Sequence, residues 1–529
     1  MDGLQKIITT NENEQEFSFK SLFVPLTATK AITLIIFVGF IVYFNVLFNG
    51  FAWDDGGQLT GNAYVQGKDY FYYFTHTIGP YYKPLMFFFY TLIFQLFNLN
   101  SFVYHLFQVA LHILNAIILF LVLRQFSKKT IITLILSLFF LIHPMNEETI
   151  AYVADYQDVL FMVFGLASLL IISRQSFGKY SNIVTAVLLL LSMFSKETGI
   201  LFTIICILYI SLFKKTAAVK TIIYCALSFI VYISVRFLLV GIVKPYAFTV
   251  IPHNTIIAAS LTERLISIPK IIYFYLSNFF VPTDLSIQYW YVKSFSFFDV
   301  ILPAIIDICF FGTLIFLGVY LNRKKLALAK SYWFFFIWFC LGLSIHLQII
   351  PLDVTAADRW FYFPMIGLLG MFLFLLNVTS IKLTSSQKNL VLLAVIGIMI
   401  TFALRTIERN PNWHDSVTYF RHELTSYPSK ENIVDIQYNY GTGLLEEYQY
   451  KEASIHLQKA TELSPESYQI WQNLGLAYIN MHEYGKAKYA YTRAVSIQDN
   501  IDQLHRAIIY IYLLNKINIK KLKIWEKSI

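Results

Sequence analysis

Long apolar runs fill most of the chain up to Arg405 and alternate with short polar connections. A membrane-spanning helix needs about 20 predominantly apolar residues, and most of the runs come close to that length. They fall at 31–49, 102–124, 130–143, 158–173, 182–194, 198–213, 218–240, 299–321, 331–350, 360–377 and 389–405. This pattern predicts an all-α, polytopic membrane domain over residues 31–405, with about eleven membrane-spanning helices.

Two further segments are apolar but read as helices that do not cross the bilayer. Residues 265–281 are amphiphilic, with Pro269 and Pro282 at the ends of the segment; because proline disrupts the interior of a helix, this segment is predicted to be re-entrant or interfacial. Residues 84–97 form a short aromatic run that is also predicted to be interfacial.

Basic residues mark alternate connections and set the expected orientation. Cytoplasmic loops carry an excess of Lys and Arg, and the basic positions here are Lys20 and Lys30, Arg124 with Lys128 and Lys129, Arg174 with Lys179, Lys214 and Lys215, Arg323 to Lys325, and Lys382 with Lys388. All of them fall on one side if 265–281 does not cross. Residues 1–30 are then cytoplasmic. The loops 54–83, 143–158 and 351–359, and everything after 404, are predicted to face the periplasm or a lumen, in a bacterial inner membrane or the ER membrane.

Composition supports a membrane protein and excludes other classes. The 529 residues are 57% hydrophobic and 14% charged, whereas soluble domains are about a quarter charged. The net charge of +9 comes from the loop clusters, so it indicates topology and not a nucleic-acid surface. The four cysteines lie unpaired within apolar runs, which predicts neither a disulfide framework nor a zinc site. The N-terminus lacks the basic-then-apolar order of a cleaved signal peptide, so the first span is expected to remain as an anchor.

After Arg405 the chain becomes polar and contains an internal repeat. Gly441 matches Gly475, Ala453 matches Ala487, and the flanking positions keep the same offset. A period of about 34 residues, with small residues where two helices cross, is typical of tetratricopeptide repeats. It predicts an extracytoplasmic α-solenoid over 406–529, with clear repeats at about 434–467 and 468–501. A degraded third repeat or cap is expected at 505–516, and residues 412–414 with Tyr419 are expected to contact the membrane domain.

The stretch that leaves the first span carries the candidate catalytic residues, Asp54 and Asp55. A carboxylate at a dry membrane face gains proton affinity and can act as a general base. The alternative is a solvated turn, because Asp-Asp-Gly-Gly favours turns. Together with Glu147, these acids could hold one divalent metal ion or none, and the sequence leaves this open.

Other charged residues gather at the outer ends of later spans. Lys83 and Arg359 are candidates for binding a phosphate, for which the arginine fork is well suited; Arg359 could instead snorkel at the interface. A supporting polar site is predicted from His143, Glu147, Asp158, Lys196 and Glu197. Helix capping is the alternative for the His143 stretch. The stripe His105, Gln108, His112 and Asn115 is interpreted as interhelical hydrogen bonding.

Six short motifs, in order, resemble one family of membrane enzymes. They are FAWDD, YYKPL, YHLFQVALHILNA, HPMNEETIAYVADYQDVL, FSKETG and AADRWFYFP, followed by the repeats. The chain resembles GT-C glycosyltransferases, and more narrowly the TMTC-type (transmembrane and tetratricopeptide repeat) protein O-mannosyltransferases and their bacterial relatives. The resemblance implies about eleven spans, a polyprenyl- or dolichyl-phosphate sugar as donor and a protein hydroxyl as acceptor. Two positions depart from the family pattern: Lys83 stands where family members usually have Arg, and Tyr156 precedes Asp158 where many have Arg.

These features predict an inverting glycosyltransferase that moves a sugar, with mannose as the expectation, from the lipid phosphate to Ser or Thr of extracytoplasmic proteins. One of Asp54 and Asp55 would take the hydroxyl proton, and Arg359 and Lys83 would face the leaving phosphate. The repeats would hold the acceptor or a partner protein. Two alternatives stay open: a GT-C enzyme with a glycolipid or polysaccharide acceptor, and a membrane scaffold without catalysis.

Overall fold

The computed structural model of the chain describes residues 26–77, 81–174, 180–214, 218–241, 256–324, 326–378 and 384–498, with Ile508 and Ile511, and this part is predominantly helical. No β-strand forms among these residues, and one antiparallel bridge joins Gln288 to Ala356. The α-helices up to residue 409 are α1 Ala28–Tyr43, α2 Ala63–Gln66, α3 Tyr72–Thr75, α4 Pro84–Phe97, α5 Ser101–Phe126, α6 Thr130–Ile142, α7 Glu147–Ala151, α8 Tyr156–Ser173, α9 Ser181–Ser195, α10 Ile200–Phe213, α11 Ala218–Val235, α12 Leu261–Phe280, α13 Leu302–Lys324, α14 Leu326–Ser344, α15 Tyr362–Val378 and α16 Ser385–Arg409.

Seven helical segments in the described part are long and apolar enough to cross a membrane. They are Ala28–Phe48, Ser101–Phe126, Val153–Ser173, Val219–Val240, Phe297–Lys324, Asp358–Leu376 and Ser386–Trp413. Helices α6 and α7, bent by 51° at His143, make an eighth if they are one broken span. The chain is therefore an all-α, multi-pass membrane protein. The expected total of about eleven spans requires that three shorter apolar helices, Ser181–Ser195, Glu197–Phe213 and Leu328–Ser344, also cross, and this total stays a prediction.

The first and last long spans end at the same face of the molecule. The Asn45 amide donates to the Ile407 carbonyl at 2.8 Å, and the Asn410 amide donates to the Val42 carbonyl at 2.9 Å. A further bond joins the Asn49 amide to the Asn410 carbonyl at 2.8 Å. Because both helices run toward this face, the Asp54 loop and the helices that follow α16 lie on one side of the membrane domain.

Helix α12 differs in part from the sequence expectation. Its 20 residues run from Leu261 to Phe280 without a break at Pro269, which lies inside the helix and not at its end. A capping box between Ser260 and Glu263 starts the helix earlier than the apolar pattern suggested. Helix α12 is not among the seven long apolar segments of the described chain.

Each end of α12 binds a loop of the membrane domain, and the expectation that this helix does not cross the membrane stays a prediction. Near its start, Arg264 donates to the Ile349 carbonyl at 2.8 Å. Near its end, the Phe279 carbonyl accepts from Nε2 of His143 at 3.0 Å. The charged side chains Glu263, Arg264 and Lys270 on this helix are costly to place within lipid.

The polar stripe on α5 forms interhelical hydrogen bonds, as predicted. Nε2 of His105 donates to the Gly50 carbonyl at 2.9 Å, and the Gln108 amide donates to the Thr149 and Tyr152 carbonyls at 2.6 and 2.8 Å. The Asn115 amide donates to the Val159 carbonyl at 3.0 Å. The stripe therefore binds the loops and helices that surround the outer end of α5.

The C-terminal helices form two hairpins with the predicted period. They are α17 Ser416–Ser426, which precedes the hairpins, and then α18 Val434–Glu446, α19 Tyr450–Leu463, α20 Tyr468–Asn480 and α21 Tyr484–Ile497. Val434 and Tyr468, which begin α18 and α20, keep the same offset as Gly441 and Gly475. A Cβ atom at Gly441 would lie 2.7 Å from Cγ of Leu457, so the two helices of the first hairpin can cross closely only with glycine there. The expected third repeat at 505–516 lies almost wholly outside the described residues.

Candidate active site

A cavity of about 190 Å³ opens where the outer loops of the membrane domain meet. It is smaller than the roughly 300–1,000 Å³ of typical small-molecule pockets, so it can enclose a head group and not a whole lipid. Its charged lining side chains are Asp54, Lys83, Asp155, Lys196, Glu197, Asp353 and Arg359.

Asp54 presents its carboxylate to this cavity. The residue is exposed, yet the surrounding protein displaces enough water that desolvation raises the pKa of the Asp54 carboxyl above its ordinary value. The nearby Tyr152 hydroxyl and the charges of Lys83 and Arg359 act in the opposite direction and favour the ionised form. Asp54 is thus an accessible carboxylate with increased basicity, as a general base requires.

Asp55 has a different role, although it is the next residue. Its side chain is 1% exposed; one carboxyl oxygen accepts from the Ala52 amide at 2.9 Å and the other from the Ala154 amide at 2.6 Å. Burial raises the pKa of Asp55 to about 8. With both oxygens bound to backbone donors, Asp55 ties the first outer loop to the turn before α8, and it does not line the cavity.

Gln58 bridges the base candidate and a cation. Its amide nitrogen lies 3.5 Å from a carboxyl oxygen of Asp54, and its amide oxygen accepts from Nζ of Lys83 at 2.7 Å. Lys83 is 5% exposed, and burial lowers the pKa of its ammonium to about 8. Among the described residues, no carboxylate lies within 4 Å of this ammonium, so its charge is available to an anionic ligand in the cavity.

Arg359 also lines the cavity but is held by protein carboxylates. Its guanidinium forms an ion pair with Glu148, its backbone N–H donates to the same carboxylate at 3.1 Å, and its Nε lies 3.9 Å from Asp155. The guanidinium is therefore fixed in place, and part of its charge is already compensated. Breaking such a buried pair costs about 3–5 kcal/mol, which makes Arg359 a structural residue in addition to its predicted role toward phosphate.

Lys196 and Glu197 both reach the cavity, and each has its own partner. Nζ of Lys196 lies 2.6 Å from both carboxyl oxygens of Asp158, and Glu197 pairs with Nε of Arg236 at 3.6 Å. Adjacent residues diverge in direction, which explains why one pair faces α8 and the other faces the end of α11. Asp158 does not line the main cavity, and its carboxylate holds Lys196 in position.

His143 and Glu147 lie away from the main cavity. Nδ1 of His143 accepts from the Met145 amide at 3.2 Å, and its Nε2 donates to Phe279, so both ring nitrogens are used at the bend after α6. This arrangement matches the capping alternative. Glu147 lies 3.5 Å from Nε of Arg409 at the end of α16, so these two residues connect elements of the fold around the site and do not enter it.

Several cavity residues were not among the site residues predicted from the sequence. They are Gln58, Tyr152, His346 and Asp353. His346 stacks on Trp360 with centroids 4.8 Å apart, and burial lowers the pKa of its imidazole well below the usual value, which keeps the ring neutral. Only Gln58 could have been found, because it lies one helical turn after Asp54.

The acids near the cavity do not form an evident metal site. Among the described residues, no three His, Cys, Asp or Glu side chains are grouped as metal ligands. Of the three acids considered for this role, Asp55 is occupied by backbone donors, Glu147 faces Arg409, and only Asp54 faces the cavity.

Known proteins with similar sequences point to one group. TMTC3, a protein O-mannosyl-transferase of Mus musculus, is 24% identical over 534 residues, which cover 89% of this chain and 55% of TMTC3. Its Homo sapiens counterpart is 23% identical over the same shares of both chains. A protein O-mannosyl-transferase of Caenorhabditis elegans is 22% identical over 82% of this chain and 63% of its own length. Residues 456–489 match the tetratricopeptide repeat family.

The chain resembles the TMTC-type protein O-mannosyltransferases over most of its length. The resemblance inferred from the six motifs is thereby confirmed. The chain spans little more than half the length of the TMTC3 proteins it matches. The repeat match lies within α19 to α21, so the tetratricopeptide nature of the hairpins is also confirmed.

Proposed function

We propose that the chain is an inverting glycosyltransferase that moves mannose from a polyprenyl or dolichyl phosphate to Ser or Thr hydroxyls of extracytoplasmic proteins. The observation that carries this proposal is the cavity itself. It combines one accessible carboxylate, Asp54, with the ammonium of Lys83 and the guanidinium of Arg359. The names of the similar proteins support the transfer of mannose to protein hydroxyls.

Asp54, and not Asp55, is the residue we assign as the base. A Ser or Thr hydroxyl attacks the anomeric carbon of the sugar from the face opposite the phosphate. The new carbon–oxygen bond forms as the bond to the phosphate oxygen breaks, and the hydroxyl proton passes to Asp54. Asp55 cannot accept this proton at the cavity, because both of its oxygens are bound to backbone amides.

Lys83 is the residue we assign to the leaving phosphate, with Arg359 as a fixed second cation. The phosphate gains negative charge as it leaves, and a preorganised cation stabilises that charge most where water is excluded. Lys83 is buried, and among the described residues its ammonium donates a hydrogen bond to Gln58 alone. Arg359 is held rigidly by Glu148 and Asp155, so its charge is placed without reorganisation.

The repeat helices support a protein acceptor over a glycolipid or a polysaccharide. Tetratricopeptide arrays bind extended polypeptides in their concave face. The hairpins α18 to α21 follow α16 on the same side as the Asp54 loop, because the first and last long spans end together. A polypeptide held by the repeats would therefore be on the cavity side of the membrane domain.

The test is mannose transfer from a synthetic polyprenyl phosphate mannose to a Ser/Thr-rich peptide, in membranes that contain the full chain. Asp54→Asn should lower the rate by about 100-fold or more, because it removes the base and keeps the shape. Asp69→Asn is the matched control: Asp69 is exposed in the same outer loop and does not line the cavity, so its loss should be neutral.

Asp55→Asn separates positioning from catalysis in the same assay. Asn offers one acceptor oxygen where two backbone N–H groups need one each, and a buried donor left unpaired costs about 1–3 kcal/mol. We expect less folded protein, with the loss of transfer following the loss of protein. Full transfer by Asp54→Asn would overturn the base assignment.

Mass spectrometry would identify the acceptors. They are the extracytoplasmic peptides that carry a hexose when the chain is present and lose it when the chain is absent.

A further inference from the structure

Trp53, the residue before Asp54, is held in an unusual backbone conformation. Its φ angle is 51°, in the left-handed region that bulky side chains rarely adopt. Such a conformation costs on the order of 1–3 kcal/mol and persists only when its surroundings determine it. The contacts of Trp53 therefore set the direction in which the chain presents Asp54.

Aromatic rings from two distant parts of the chain enclose the Trp53 side chain. Tyr152, before α8, stacks on it with ring centroids 5.6 Å apart and planes at 16°; Tyr419, on α17, stacks with centroids 5.9 Å apart and planes at 14°. Phe420 meets it edge-on at 5.8 Å. Trp413 closes the group by stacking on both tyrosines, at 4.7 Å and 4.2 Å.

The backbone around Trp53 is held by the same distant segment. The Trp53 amide donates to the Ser416 hydroxyl oxygen at 2.7 Å, and the Gly50 amide donates to the His414 carbonyl at 2.8 Å. On the cavity side, the Tyr152 hydroxyl, which has no hydrogen-bond partner of normal geometry among the described residues, faces Asp54 and favours its ionised form. The contacts thus connect α17 to the carboxylate through Tyr419, Trp53 and Tyr152.

We propose that Trp53 is a positioning residue, held by Tyr419 and Ser416, that aims Asp54 into the cavity, so that the segment after the last membrane helix completes the active site. This proposal rests on the assignment of Asp54 as the base. It means that the membrane helices alone do not form a working site. The residues 413–420 belong to the site as much as to the connection with the repeats.

The test uses the full chain and the transfer assay described above, with rate measured against pH. Tyr419→Ala removes one face of the stack, and we expect kcat to fall at least 10-fold while KM for the donor stays the same. Because the loosened loop admits water to Asp54, and desolvation is the main cause of its raised pKa, the acid limb of the pH profile should move to lower pH. Tyr419→Phe keeps the ring and should restore both values.

Tyr489→Ala is the matched control, since Tyr489 is an exposed tyrosine whose ring meets Trp471 in the second hairpin; it should leave kcat and the acid limb unchanged. A merely structural role of Tyr419 would lower the amount of folded protein and leave the pH profile of the remainder unmoved, which would overturn the proposal.

If Tyr419→Ala does not accumulate, Ser416→Ala decides: a shifted acid limb supports the proposal and an unmoved one overturns it. If Asp54→Asn is itself active, the proposed function fails; if Asp54→Asn is inactive and both junction variants behave as the wild type, only the positioning role fails.

Discussion

Two single side chains, Lys83 and Asp54, set the pH range in which this cavity can carry out the proposed transfer. Lys83 is charged only below its lowered pKa of about 8, and its stabilising effect on a leaving phosphate is lost as pH rises through that value. As the proposed base, Asp54 must be ionised, which requires a pH above its raised pKa. The transfer rate should therefore be bell-shaped in pH, with Asp54 setting the acid limb and Lys83 the alkaline limb.

Lys83→Arg tests the alkaline limb. Arginine stays protonated throughout this range, so we expect the alkaline limb to move up by about one pH unit or more, with the acid limb unchanged. Lys68→Arg is the control, because Lys68 is exposed in the same outer loop and lies outside the cavity. An alkaline limb that stays near the pKa of about 8 in Lys83→Arg would assign it to another group.

Arg359 is a less specific probe than its sequence motif suggests. It is buried against Glu148 and Asp155, so its replacement by Ala would leave an unpaired buried carboxylate and reduce folding as well as catalysis. Lys83 makes no such pair within the described chain, and its substitution therefore reports on the ligand more directly.

Helix crossings in the repeats depend on the small residues that revealed the repeat. In Gly441→Ala, the new Cβ would lie 2.7 Å from Cγ of Leu457, which is fully buried. Overpacking of this kind costs about 1–3 kcal/mol, so the first hairpin should become more sensitive to limited proteolysis in the full chain. Gly485→Ala is the control, since no atom lies within 4 Å of its added Cβ. Equal resistance of the two variants would contradict the close crossing.

Helix α17 joins the two parts of the molecule more firmly than a linker would. Its Glu423 forms a buried ion pair with Lys430 at 2.6 Å, and Lys430 also donates to the Ile287 carbonyl of the membrane domain at 2.9 Å. The expected contacts of Trp413, His414 and Tyr419 with the membrane domain are present. The repeats therefore begin from a fixed point beside the cavity.

At the scale of the whole molecule, the orientation of the chain decides which side of the membrane the cavity faces. The basic loop residues predict the extracytoplasmic side, and the shared end of the first and last spans places the repeats on that same side.

A cysteine at the exposed position Lys488, in a variant without the four native cysteines, should react with a membrane-impermeant thiol reagent on intact cells. Lys128→Cys, exposed in a basic loop, should react only after the membrane is opened. The reverse pattern would invert the topology and place Asp54 in the cytoplasm.

Features that depend on local composition and period could be predicted from the amino-acid sequence. Runs of apolar residues identify the helices that bury themselves in lipid, and the constant offset between matching positions, such as Gly441 and Gly475, identifies the two hairpins, because both signals repeat along the chain. The sequence also drew attention to three loops whose residues line the cavity, since charged residues near a bilayer gather where function or water can accommodate them. That Lys196 and Glu197 have separate partners follows from their being adjacent in the chain, because adjacent side chains diverge in direction.

Which of these loop residues meet in the cavity depends on how the helices pack against one another. Asp54 and Asp55 are equivalent in sequence, and they differ because the amides of Ala52 and Ala154 occupy both oxygens of Asp55. Tyr152, His346 and Asp353 join the cavity from segments far apart in the chain. Contacts between distant segments set the side-chain directions of loop residues. Such contacts leave no repeating pattern in a single sequence, so they cannot be predicted from it. The clearest case is the stacking of Tyr419 on Trp53, which joins a residue after the last membrane helix to one that follows the first.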